Sequence, residues 1–209
     1  MATGAAEANG ATSARARRWE PHPALGENRD MPTSPLARRP EPSEYAPFYA
    51  NYVAAVPDGD IVETVEREGG RIVELLRALP EASADHAYAP GKWRVREVVA
   101  HVADGERVFA YRLLRFGRGD RTPLASFDQD LWIGNCHART RPWPALIDDL
   151  EAARASTLGV LRSLAPEDFD RDGEASGARV TVRALAWIVA GHELHHRRVL
   201  TERYGLFGG

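Results

Sequence analysis

Residues 181–200 read TVRALAWIVAGHELHHRRVL, and this stretch decides the fold. Leu185, Ile188, Val189, His192, His196 and Val199 recur at three- and four-residue spacing, which traces one face of an α-helix. Thr181 supplies an N-cap oxygen ahead of the run and Gly205 stops it, so the spacing predicts a helix reaching to about Tyr204. His192 and His196 occupy positions where the pattern calls for apolar core residues. Four apart on a helix, they can place two imidazole nitrogens on one ion. A buried imidazole pair without partners is costly. A shared metal would satisfy it, and so would hydrogen bonds to backbone or carboxylates; the pair alone leaves both readings open.

Three more helices precede this one. Asp60, with Glu63 three residues on, forms a capping-box pattern ahead of Ile61, Val65, Ile72, Leu75, Leu76 and Leu79, which predicts a helix over 60–79 that Pro80 stops. After the Pro90-Gly91 breaker, Val95, Val98, Val99, Val102, Phe109, Leu113 and Phe116 predict a second over 94–116. The third follows Pro144, with Leu146, Ile147, Leu150, Ala153, Thr157 and Leu161 on its inner face, and Pro166 closes it. Between the second and third lies a long connection, Gly117 to Trp143, with at most a short helical piece near Phe127–Ile133. Antiparallel neighbours need only a few linking residues, so this length lets helices two and three run parallel. Residues 168–178 read as surface loop and strand signals are nearly absent. The expected architecture is all-α, a four-helix bundle.

Composition sets the outer limits. With 209 residues, 44% hydrophobic and 27% charged, the chain is one ordinary globular domain with a surplus. Residues 1–43 are Pro-rich and lack any period, so they read as a disordered N-terminal extension, with the bundle over 44–209; Met31 offers a second candidate start. No run approaches the roughly 18 apolar residues that span a bilayer, so no membrane insertion is expected. A net charge of −3 argues against a dedicated nucleic-acid binder. The lone Cys136 cannot form an internal disulfide, which points to the cytoplasm and means that sulfur chemistry would need an external thiol.

His101 strengthens the metal reading. It lies at the edge of the second helix's apolar stripe, three residues after Val98. Three histidines from two helices, with water completing the shell, make an open site for a divalent ion such as zinc, nickel or iron. The letters His192-Glu193-Leu194-His195-His196 also match the zinc-protease motif with Glu193 as general base. That reading is weaker, because Val199 and Glu202 stand where one such class needs a turn-forming Gly and a third ligand, and only thirteen residues follow His196.

The run from Pro90 to Arg107, with Lys92-Trp93 leading to His101 and Asp104, together with Gly191 to Arg197, resembles the DinB-like superfamily, also called the DinB/YfiT metalloenzyme group. The resemblance covers about Tyr45 to Phe207. It implies up-down-down-up topology with a long crossover from helix two to helix three, and a divalent metal held by His101, His192 and His196. It further implies a low-molecular-weight thiol cosubstrate, since members include S-transferases using bacillithiol, mycothiol or glutathione and a mycothiol-dependent maleylpyruvate isomerase. Arg94 departs from the family's usual Ser or Thr, so helix two loses a side-chain cap worth on the order of 1 kcal/mol.

Asp104 is a candidate to orient His101 or to reach the metal as a fourth ligand, and Glu97, one turn earlier, is a weaker candidate to support the ligands from behind, with an ordinary surface role as the competing reading for each. His195 is rotated about 100° from its neighbours and belongs at the rim. Arg197 is a candidate to steer an anionic substrate. His137, with Trp132 and Cys136, is placed at the pocket mouth, and His22 and His86 read as exposed. The expected function is thiol-dependent transfer or isomerisation of a small electrophile. The alternative is a metal-stabilised stress or binding module without turnover. A homodimer fits such a bundle, with no interface legible in the sequence.

Overall fold

The computed structural model describes residues 35–208, and the first 34 residues of the predicted extension lie outside the described residues. In chain order the elements are α1 (Ala50–Ala55), α2 (Ile61–Ala78), α3 (Val95–Gly117), α4 (Gln129–Asn135), α5 (Trp143–Arg162), β1 (Asp172–Ala175), β2 (Ala178–Thr181) and α6 (Val182–Glu202). The long helices α2, α3, α5 and α6 are the four read from the sequence. Their starts are set chemically. Asp60 accepts hydrogen bonds from the backbone of Val62 and Glu63, and Thr181 accepts from Ala184. At α3 the Arg94 side chain provides no cap, but Glu97 reaches back 2.8 Å to the Arg94 backbone N–H, so the reciprocal half of a capping box survives.

Contacts along the helices fix their directions. Arg96 bonds the Arg141 carbonyl, Arg107 pairs with Asp149, and Arg118 bonds Ser163, so positions on α3 and α5 advance together and these helices are parallel. Arg77 meets Glu151 while Arg162 meets Glu66, so α2 runs against α5. Trp93 lies by Tyr204 and His101 by His192, so α6 runs against α3. The bundle is therefore up-down-down-up. Around it, α2 packs on α5, α5 on α3, α3 on α6 and α6 on α2, which places α2 diagonal to α3 and α5 diagonal to α6.

The spine of the core is the first half of α6. Every residue from Val182 to Glu193 is buried, with Trp187 and Ile188 fully enclosed. The short α1 crosses this helix so closely that a Cβ at Gly191 would stand 2.1 Å from the Tyr52 carbonyl oxygen, and only glycine fits there. No helix among the described residues is long and apolar enough to cross a membrane.

Three parts differ from the sequence expectation. The predicted loop over 168–178 holds the antiparallel hairpin β1–β2, turned by Ser176 and Gly177, both at positive φ, and Leu124 of the crossover bridges to Ala175. Strands of four residues carry too little alternation to announce themselves. Residues 35–43, assigned above to the disordered extension, pack on the bundle. Arg39 bonds the carbonyls of Val53 and Val56 at 2.6 and 2.7 Å and lies 4.4 Å over the Trp187 ring, while Pro40 is buried. Such anchoring comes from tertiary partners and leaves no period in the chain. Finally, α1 forms a separate helix that the sequence reading did not distinguish.

Candidate metal centre

The antiparallel pairing of α3 and α6 brings His101 opposite His192 and His196, and ligand atoms of the three imidazoles all lie within 4.8 Å of one another. The Nε2 atoms of His101 and His192 are 3.2 Å apart. Gly105, one turn beyond His101, makes room for the second ring: a Cβ there would stand 2.8 Å from Cε1 of His192. Packing orients the rings. Trp93 lies 5.0 Å from the His101 ring, and Tyr52 and Phe109 lie 5.6 and 5.5 Å from that of His192.

Burial is the first cause of low proton affinity in all three. It lowers the His101 pKa to about 4, with Asp130 opposing and His195 reinforcing the shift. His192 is pushed well below the ordinary range by burial, then by His196 and His101, and His196 by burial, then by His101 and His195. The imidazoles are therefore neutral at pH 7, the state a metal ligand requires. A tetrahedral zinc ion with bonds of about 2.0–2.1 Å holds its nitrogen ligands roughly 3.3 Å apart, so the His101–His192 separation suits shared coordination. Among the described residues the His196 imidazole makes no hydrogen bond, which leaves its ring nitrogens available.

Two cavities meet at the triad. One, of about 360 Å³, is bordered by His196 and His195 with Lys92, Trp93, Tyr88 and Tyr204. The other, of about 240 Å³, is bordered by His101 and His192 with Tyr49, Tyr52, Phe109 and Phe127. Gln129, in the first turn of α4, borders both. The crossover thus reaches the site through Gln129 and Asp130, and neither Trp132, Cys136 nor His137 borders these cavities. Trp132 stacks on Phe127 at 4.7 Å, and His137 lines a separate cavity with Glu97 and Arg139.

His195 sits at the rim, half-buried against Tyr52, where the sequence placed it. The other expected neighbours serve elsewhere. Glu97 caps α3 and pairs with Arg139 at 2.9 Å. Asp104 pairs with Arg107 at 3.5 Å and stays out of the imidazole cluster. Arg197 is held by Glu68 at 2.6 Å on the α2 side and borders neither of these cavities. These corrections share one reason: each residue is within about one turn of a histidine in sequence, yet the helix carries it about 40–100° away from the shared face and a different neighbour claims it.

A buried charge cluster went unread in the sequence. Arg154 of α5 lies 2.8 Å from Glu106 and 2.6 Å from Glu193, with its Nη1 donating to the Val65 carbonyl at 2.7 Å. Burial raises the Glu193 pKa to about 7 against the opposing pull of Arg154. Clamped in this cluster, Glu193 cannot act as the general base of a zinc protease, and that reading falls. Glu106 and Arg154 occupy inward positions among apolar residues, which is the signal that could have flagged them.

Comparison with known proteins follows the same lines. The profile of the DinB superfamily matches residues 64–200. The chain belongs to the DinB superfamily. An Oceanobacillus iheyensis relative, named "Putative metal-dependent hydrolase", is 28% identical over 142 residues, covering 65% of this chain and 78% of its own length. A Bacillus licheniformis relative of the same name is 31% identical over 138 residues, 58% of this chain and 73% of its own. The solved structure of YfiT from Bacillus subtilis, described as "a probable metal-dependent hydrolase with an unusual four-helix bundle topology", superposes with a TM-score of 0.62 at 17% identity, covering 81% of this chain and 94% of that one. A mycothiol-dependent maleylpyruvate isomerase superposes with a TM-score of 0.57 at 17% identity, covering 71% and 60%. At such identities the structural likeness speaks for the DinB fold alone.

Proposed function

We propose that this DinB-superfamily chain is a metal-dependent enzyme that uses a low-molecular-weight thiol to transfer to, or isomerise, a small electrophile. His101, His192 and His196 would hold a divalent ion, zinc, nickel or iron. When bound, such an ion lowers the pKa of a coordinated thiol or water and polarises an electrophile. The observation that carries the reading is the pair of cavities meeting at the triad: two compartments suit two small molecules brought together, whereas hydrolysis needs room for one.

The chain's own residues supply the rest. Trp93 packs on the His101 ring, and Tyr52 and Phe109 pack on that of His192, which fixes both rings. Lys92, at the edge of the larger cavity, offers a positive charge to an acidic thiol cosubstrate. The relatives' names favour hydrolysis as the second reading. The cytoplasm, where such thiols are kept reduced, is the proposed compartment.

The test is a panel of thiols with a chromogenic aryl chloride, run on metal-loaded protein. Thiol-dependent turnover that disappears in His192→Ala supports the proposal. Product release without thiol moves the assignment to hydrolysis. In cobalt-substituted protein, thiol addition is expected to perturb the absorption spectrum; an unchanged spectrum would instead mark a closed, structural ion in a binding module.

A further inference from the structure

Four arginines among the described residues are buried: Arg96, Arg112, Arg154 and Arg183. Three have carboxylates. Arg96 meets Asp85, Arg154 meets Glu106 and Glu193, and Arg183 meets Glu44 and Asp170. Arg112, only 2% exposed, meets none among the described residues. A guanidinium so deeply set without an anion is costly, since the charge gives up most of its hydration with nothing opposite in return. The side chain is held in place all the same. One terminal nitrogen donates to the Ala125 carbonyl at 3.0 Å and to the Ser176 hydroxyl at 2.8 Å, while its Nε and its other terminal nitrogen have no protein partner.

Those free donors belong to a residue that borders the smaller cavity, the one also lined by His101 and His192. Aromatic rings make up much of the remaining wall, with Tyr49, Tyr52, Phe109 and Phe127, and Ser126, Gln129 and Ser176 add polar groups. Phe109 spans the interval between the two ends, its ring 6.0 Å from the Arg112 guanidinium carbon and 5.5 Å from the His192 ring. An arginine fork matches a carboxylate bidentately, and aromatic walls favour a flat, apolar body.

We infer that Arg112 is the anion-recognition residue of this site, and that the small molecule taken into the smaller cavity is an aromatic or unsaturated carboxylate. Its carboxylate lies against Arg112 and Ser176, its body lies along Phe109, and its far end lies toward the histidines. This specifies the electrophile of the function proposed above and rests on that reading for what happens at the far end. The binding step is independent of it.

Binding of benzoate and of its neutral counterpart benzamide to the full chain, metal-loaded and metal-free, tests the assignment by calorimetry without any turnover. Benzoate is expected to bind both forms at least 10-fold more tightly than benzamide. Arg112→Gln is expected to erase that preference and Arg112→Lys to keep part of it. Benzoate preference that is present only with metal would place the carboxylate on the ion and overturn the role of Arg112. Equal binding of the two probes, or a preference that survives Arg112→Gln, would overturn it too. Because Arg112 also tethers the crossover to the hairpin, wild-type protein provides a check that needs no variant: the Arg112 Nε–H resonance should shift with benzoate and stay still with benzamide. A thiol assay that fails while this preference holds refutes the proposed chemistry and leaves the recognition residue standing.

Discussion

Along α6, Val182 to Ala190 is buried at every position and apolar apart from Arg183, whereas from His192 onward the same helix carries three histidines, two arginines and half-exposed side chains. The first half is gripped from outside the bundle as well: Arg39 covers Trp187, and Glu44 receives hydrogen bonds from Thr181 at 2.7 Å and Arg183 at 2.9 Å. The second half borders two cavities. One rigid rod thus serves as anchor at one end and as ligand scaffold at the other. The difference teaches where strain can be tolerated: neutral, poorly hydrogen-bonded imidazoles persist because the turns before them are fastened so firmly.

Substitutions in the two halves should separate along this line. His192→Ala is expected to lower metal affinity and any thiol-dependent turnover on the order of 100-fold or more, with helicity by circular dichroism retained. Stoichiometric metal in that variant would sink the site assignment. Trp187→Ala, in the anchoring half, should instead cost about 3–5 kcal/mol in denaturant unfolding while the folded fraction still binds metal. Arg154→Met stands at the junction and strands Glu106 and Glu193 in the core, for a loss of about 3 kcal/mol or more. If it proves neutral, the charge cluster is not holding the halves together.

Two smaller effects sharpen the contrast. Gly105→Ala presses a methyl group on the His192 ring, and metal affinity by competition with a chelating dye should fall about 10-fold, while the melting temperature moves little. Acid should act on the anchored half through Glu44. Burial alone would raise its pKa, but the backbone of Glu41 with Thr181 and Arg183 hold it below the ordinary 4.5. The folded form then binds its proton less readily than the unfolded chain, so this stabilisation is full above pH 4.5 and is lost as pH falls through the depressed value. A melt series from pH 6 to 3 should show a shallower decline in Glu44→Gln than in wild type.

The bundle was legible because helical periodicity is a local property: Ile61 to Leu79 and Val95 to Phe116 state their inner faces outright, and Pro80, Pro144 and Thr181 mark their ends. His101, His192 and His196 were legible for a related reason, since polar residues at core positions break an otherwise apolar stripe. Contacts across the bundle were not. Asp104 and Arg197 lie beside the right histidines in sequence and beside other partners in space, while Arg112, Gln129 and Tyr52 reach the cavities from turns that no motif announces. The hairpin of β1 and β2 was too short to display a period, and the packing of residues 35–43 rests on side chains such as Leu36, Arg38 and Arg39, whose partners lie far along the chain.

The diagonal placement of α3 from α2 and of α6 from α5 has a consequence for how the chain finds its fold. Neither α3 nor α6 docks on the long helix made just before it. The usual antiparallel helical-hairpin nucleus has no counterpart here: the one seam between consecutive long helices, α3 with α5, is parallel, and the crossover of about 25 residues must close before they can meet. Folding should therefore be slow for an all-helical protein of this size, its rate governed by long-range closure rather than by helix formation. During synthesis, α2 and α3 must wait for α5 and α6 to emerge before either buries its apolar face.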